Sequence, residues 1–206
     1  MIKIEERIDR DEFRKTTNLY YFLKPGEVMT IGEMFYYGCK FLISDKIAEE
    51  VMEKVVLPSE SSKMKEKKII NILNKIDAVD IDKLKIFMAY NLIATKHRNI
   101  FMTYHAMVKI LTRFVKRDVA LIREKLNAAI EIYLKKGKTE ILIWNTIFII
   151  KDNMVVTCFY PTEVTKKCIK YNIQSGLNEN NSIIKTLDKL KKMEKIKNIK
   201  KECIRC

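Results

Sequence analysis

The sequence predicts an α+β fold: a helical N-terminal part, then a two-helix unit with a small antiparallel sheet, then a basic C-terminal helix or tail. Three observations predict it. Of 206 residues, 48% are hydrophobic and only 5 are Gly and 3 Pro, so the chain can bury a core and is seldom interrupted. Apolar residues recur at three- and four-residue steps from about residue 30 to residue 134, the period of amphipathic helices. After Gly137 the pattern changes to Ile-rich, β-branched and aromatic runs, the composition of strands.

The elements follow in order. Asn18 to Phe22 is an aromatic run before Pro25 and Gly26 and reads as a short strand. Thr30 and Glu33 have capping-box spacing, which starts a helix running through Ile43. Ser44 or Asp45 starts another, carrying Ile47, Val51, Val55 and Val56 inward until Pro58. Lys63 to Ile76 and Asp80 to Ala94 are the next two helices. A long helical pattern from Tyr104 to Leu134 breaks near Arg117 and Asp118, where Asp can cap a second helix, and stops at Lys136 and Gly137. Two strands are expected beyond it, Thr139 to Ile150 and Met154 to Tyr160, joined by a tight turn at Asp152 and Asn153. The segment from Ser182 to Cys206 holds nine Lys and Arg against three acids, as expected of a basic helix or arm. The expected division is 1–98 helical, 99–165 α+β, and 166–206 basic.

Charge and cysteines bound the function classes. Forty Lys and Arg against 26 Asp and Glu leave a net charge of +14, which points to a polyanionic partner. No segment approaches the roughly 20 apolar residues that span a bilayer, and MIKIEERIDRDEF lacks the apolar core of a secretion signal. A cytoplasmic location is expected, with the five cysteines as reduced thiols. Cys39 and Cys158 lie in apolar surroundings and read as core residues. The Cys203 and Cys206 pair has no second Cys or His pair nearby to complete a zinc site. The chain has no P-loop, dinucleotide glycine fingerprint or HExxH, so no sequence feature supports nucleotide hydrolysis or metalloprotease chemistry.

No acid occurs between Asp82 and Asp118, whereas Lys83, Lys85, Lys96, Arg98, Lys109, Arg113, Lys116 and Arg117 all fall in that interval. It should be the most electropositive part of the fold. Both histidines lie inside it. On a helix from Tyr104, His105, Lys109, Arg113 and Lys116 share a face while Met107, Leu111, Phe114 and Val115 turn largely inward. One reading is a solvated basic stripe with His105 as a partly buried hydrogen-bonding residue. The other is a phosphodiester site. RNA cleavage needs a proton acceptor for the 2′-hydroxyl, cations for the phosphorane and an acid for the leaving oxygen. Imidazole titrates near neutrality, Arg holds phosphate by a planar fork, and Lys acts as a point charge. His97, beside Lys96 and Arg98, reads as a surface turn able to touch phosphate. Trp144 reads as a sheet residue, in a position that permits base stacking.

The run Thr103-Tyr-His-Ala-x-x-Lys-x-x-x-Arg113, a second helix, the strand Glu140-Ile-Leu-Ile-Trp-Asn and a last strand Val155-Val-Thr-Cys-Phe-Tyr-Pro161 resemble the barnase, EndoU, colicin and RelE superfamily of metal-independent ribonucleases, in its toxin and phage-encoded branch. The resemblance spans about 60 residues. It implies His105 as acid or base, Arg113 and Lys109 as phosphate ligands, and Thr157 as a polar group near the scissile phosphate. It also implies no cofactor or metal. Lys116, Arg117, Tyr160 and His97 are the further substrate contacts expected. Lys109 stands where Arg is usual, Phe114 where Gly is common, and Phe159 where Tyr is usual. On a regular strand Thr157 and Tyr160 fall on opposite faces. The rival expectation needs the charge alone: a non-enzymatic factor, of viral or mobile-element type, that binds nucleic acid or a host protein. A protein inhibitor is a further expected partner of a nuclease. A third option, a helical protein whose basic tail meets lipid headgroups, is disfavoured by the lack of an aromatic face there.

Overall fold

The computed structural model describes residues 28–56 and 61–162. The expected strand at Asn18 to Phe22, the stop at Pro58, Cys168, the basic segment 166–206 and the Cys203 and Cys206 pair lie outside the described residues.

Helix α1, Ile31–Leu42, starts at the expected capping box: Thr30 Oγ1 accepts from the Glu33 amide and the Glu33 carboxylate accepts from the Thr30 amide. α2 is Asp45–Val56, α3 Ser62–Leu73 with Ser61 as its cap, and α4 Ala78–Leu92 with Asp77 as its cap. A 3₁₀ turn at Thr95–His97 leads to β1, Phe101–Met102. α5, Tyr104–Phe114, is capped by Thr103. α6, Val119–Lys136, is capped by Asp118 and ends at Gly137, whose φ of 65° lies in the left-handed region that glycine enters without Cβ strain.

The strands differ from expectation. Thr139 to Ile150 is two strands, β2 at Glu140–Ile143 and β3 at Thr146–Lys151, followed by β4 at Met154–Phe159. Trp144 and Asn145 form a two-residue turn between β2 and β3, both at positive φ. Asn tolerates that conformation, but Trp is a poor marker of it, so the Ile-rich run conceals the break. The second turn, Asp152 and Asn153, stands where expected, again with both φ values positive.

The sheet order is β1-β4-β3-β2. It is mixed, because short β1 joins β4 in parallel while the other pairs are antiparallel. The β3–β4 register shifts between Ile149 and Ile150, leaving Val156 as a bulge. In consequence Val155 and Cys158 both turn into the core, whereas regular alternation would send them to opposite faces.

Helix α5 holds the architecture together by touching α1, α3, α4 and β4, while α6 covers β2 and β3. Buried side chains on both sides of residue 98, from Ile31 through Leu92 to Phe148 and Cys158, join one core cluster. The start of α1 also meets the α5–α6 corner through the backbone. Ile31 N–H donates to Arg117 C=O, Gly32 N–H to Val115 C=O, and Val119 N–H to Met29 C=O, at 2.8–2.9 Å. No described helix is long and apolar enough to cross a membrane.

Helices α1 and α4 approach closely at Gly38, where an added Cβ would lie 2.6 Å from Phe87 ring carbons and 3.1 Å from Leu84 Cδ1. Gly to Ala in an open helix gains about 1 kcal/mol. Here Gly38→Ala is expected to cost about 1–3 kcal/mol because a buried ring must move; chemical denaturation will register a lower midpoint, and a higher one would refute the close contact.

Candidate nucleic-acid interface

The first turn of α5 is fixed by Thr103. Its hydroxyl oxygen accepts from the Ala106 amide at 3.1 Å, and its O–H points to the carbonyls of Val156 (3.1 Å) and Val155 (3.3 Å) on β4. Ala106, Met107, Val108, Ile110, Leu111 and Phe114 are buried, so the helix leaves little besides His105, Lys109, Thr112 and Arg113 for other work.

Those side chains have distinct fates. His105 is exposed. Its imidazole is held below the ordinary pKa, first by partial desolvation and then by Lys109 and Arg113, with Glu66 opposing. Lys109 forms an ion pair with Glu66 of α3, the two side chains only 13% and 20% exposed. Arg113 donates to the Cys158 carbonyl and lies 5.8 Å from the Phe159 ring centroid. The expected phosphate ligands are therefore engaged within the fold. Thr157 pairs with Ile149, on the sheet face opposite the core-facing Phe148 and Cys158. It makes no side-chain hydrogen bond with His105 or Arg113 among the described residues. The bulge at Val156 puts it there: regular alternation would have placed Thr157 on the same face as Val155.

Further expectations are corrected. His97 is not a surface contact; it is 8% exposed, drawn inward by the 3₁₀ turn that links α4 to β1. The acid-free interval is not acid-free in space. Lys83 meets Asp80, Lys85 meets Asp82, Lys96 meets Glu131 and Lys109 meets Glu66. Sequence distance hides the last two carboxylates, which arrive on other helices. The Cys158 thiol is pushed up to about 12 by burial, and that of Cys39 is raised as well, so both are core residues as expected. Tyr104 has a buried hydroxyl with no hydrogen-bond partner among the described residues, and burial raises its pKa.

A different set of residues converges beyond the other end of α5, about 14 Å along the helix from His105. Arg117, just ahead of the α6 cap, joins Leu121, Ile122 and Lys125 of α6 and Trp144, Asn145 and Tyr160 in lining a cleft of about 190 Å³. Trp144 is 60% exposed at the tip of the β2–β3 turn. Its φ of 40° is a conformation that costs a bulky residue about 1–2 kcal/mol. Tyr160 is 39% exposed and set edge-on to Phe114, ring centroids 5.0 Å apart and planes at 66°. The ammonium of Lys125 donates to Trp144 C=O (3.3 Å) and Thr146 Oγ1 (3.4 Å). Burial, then the charge of Arg117, lowers its pKa. No carboxylate pairs with Lys116, Arg117 or Lys125 among the described residues, and the Asp118 carboxylate accepts from the first amides of α6 instead.

Arg117 and Tyr160, both expected contacts, thus meet in one cleft apart from His105. Lys125 was missed because it follows Glu124 and lies beyond Asp118, outside the acid-free interval, and the turn position of Trp144 because its run reads as an unbroken strand; the one available signal was the Asn that follows. No three or more of the His, Cys, Asp and Glu side chains gather as a metal site among the described residues. No family model, curated protein or solved structure matches the chain.

The Glu66 pair gives a pH-linked test. A lowered imidazole pKa means that folding opposes protonation of His105. Its stabilising effect is complete above the ordinary imidazole value, about 6.5, and declines as pH falls through it toward the folded value. Glu66→Gln should depress the His105 titration further, as read by NMR, and cost about 1–3 kcal/mol by leaving Lys109 uncompensated. An upward shift would contradict the arrangement.

Proposed function

We propose that this protein binds RNA through the α5–α6 corner. One observation carries the reading: once fold-internal ion pairs are discounted, Lys116, Arg117 and Lys125 stand without acidic partners among the described residues at one corner, beside exposed aromatic rings. Unpaired cations repel one another and are best relieved by an anion, and phosphate contacts supply most of the affinity of basic proteins for nucleic acid. The net charge of +14 adds long-range attraction. Binding without cleavage accounts for the engagement of Lys109 and Arg113.

The test is the salt dependence of RNA binding. The full chain should bind an RNA oligonucleotide with affinity that falls steeply as salt rises. Lys116→Gln with Arg117→Gln should reduce the slope of log affinity against log salt by about 1.4 for a single strand. Unaltered affinity and slope would remove the corner from the interface.

RNA cleavage is the second reading, and its favouring observation is the exposed, neutral-leaning imidazole of His105 next to two cations. In this reading His105 accepts the 2′-hydroxyl proton while the 2′ oxygen attacks phosphorus and displaces the 5′ oxygen of the next nucleotide, which takes a proton from water and leaves as a 5′-hydroxyl, giving a 2′,3′-cyclic phosphate. The chain incubated with total RNA and chelator should then yield such ends, and His105→Ala should abolish them. Cleavage that persists in the variant would clear His105 of the role.

A further inference from the structure

We infer that the cleft between the β2–β3 turn and α6 is a base-stacking subsite, and that it makes the protein selective for single-stranded over double-stranded nucleic acid. The inference rests on the RNA-binding reading and deepens it, from attraction to phosphate toward recognition of an unstacked base.

Two observations beyond charge support it. Trp144, the largest apolar side chain type, is 60% exposed and held out on a two-residue turn at φ 40°. Strained backbone at an exposed aromatic is a poor solution for folding, since Asn or Gly would occupy that turn with less strain. Such strain is characteristic of functional positions. The second observation is composition. Trp144 and Tyr160 offer ring faces while Arg117 and Lys125 supply two cations, the pairing of stacking surface and phosphate contact that single strands require. Lys125 gives two of its three donors to neutral oxygens, which leaves one for an anion.

Size and shape select among occupants. At about 190 Å³ the cleft falls short of the roughly 300–1,000 Å³ of cofactor-sized pockets. A single flat ring with its phosphate outside suits it better than an enclosed small molecule. A duplex keeps its bases stacked and offers backbone, 2′-hydroxyls and base edges but no free base face, so it can satisfy the cations but not Trp144.

Trp144 is the only tryptophan of the chain, so tryptophan fluorescence, excited at wavelengths where the nine tyrosines do not absorb, reports on this cleft alone. The full-length protein would be titrated with a single-stranded RNA, a DNA of the same sequence, an abasic strand of equal charge, the RNA duplex and polyglutamate. Quenching by both base-bearing strands and little by the abasic strand, duplex or polyglutamate is the expected result; a difference between the RNA and DNA arms identifies the preferred sugar. Trp144→Asn should unfold within a few degrees of the parent, because released strain offsets lost apolar contact, yet bind the single strand at least tenfold more weakly and the duplex unchanged. Trp144→Phe should retain part of the affinity. If all nucleic acids bind but Trp144 is not quenched and Trp144→Asn binds as the parent does, this inference falls and RNA binding stands. If none binds, the RNA-binding reading falls with it. Equal quenching by polyglutamate would overturn the inference by making the cleft a site for acidic protein.

Discussion

The open edge of β4 is the constraint on which the rest depends. β1 is only two residues long and pairs with Met154 and Val155, so the carbonyls of Val156 and Cys158 are left beyond its reach. A carbonyl shut away from water without a donor costs about 1–3 kcal/mol. α5 meets that need at both ends: Thr103 gives its hydroxyl to the Val156 carbonyl and Arg113 its guanidinium to that of Cys158. The helix is thereby fixed along the strand, and its apolar side meets α1, α3 and α4. Residues that suggest catalysis by their spacing are thus the ones that fasten helix to sheet. His105 sits between these attachments, positioned by them and not consumed by them.

Much of the fold was legible because short-range rules decide it. Thr30 with Glu33, Asp118 and Gly137 each satisfy or release backbone groups within a turn of themselves, and all three act as their sequence context implies. The Asp152 and Asn153 turn is equally local. Long-range competition explains what was hidden. The Val156 bulge reflects how β4 must present both Val155 and Cys158 to the core, which no alternation within β4 can reveal. Glu66 reaches Lys109 across 43 positions, so the Lys109 charge looks available until α3 is placed beside α5. Trp144 at positive φ contradicts residue preference outright, and local rules fail most informatively at such sites.

Charge followed a similar course from apparent to effective. A window of eight cations without an acid becomes, in three dimensions, several helix-surface and interhelical ion pairs plus Lys116 and Arg117, which meet no carboxylate among the described residues. Exposed pairs contribute little to stability. On the RNA-binding proposal their effect is larger, since they neutralise Lys83, Lys85, Lys96 and Lys109 while Arg117 lies beside the rings of Trp144 and Tyr160.

On the RNA-binding proposal, the backbone bonds between residues 29–32 and 115–119 bear on affinity in a way that contacts alone do not express. A cation on a free loop loses conformational freedom when it grips a ligand, and fixing one residue of backbone forfeits about 1–2 kcal/mol. The stretch bearing Lys116 and Arg117 has met that loss during folding, because amides at the start of α1 hold the carbonyls of Val115 and Arg117. If the corner binds RNA as proposed, the start of α1 contributes to recognition entropically: without touching the ligand, it keeps the corner in the shape that an incoming strand would otherwise have to impose.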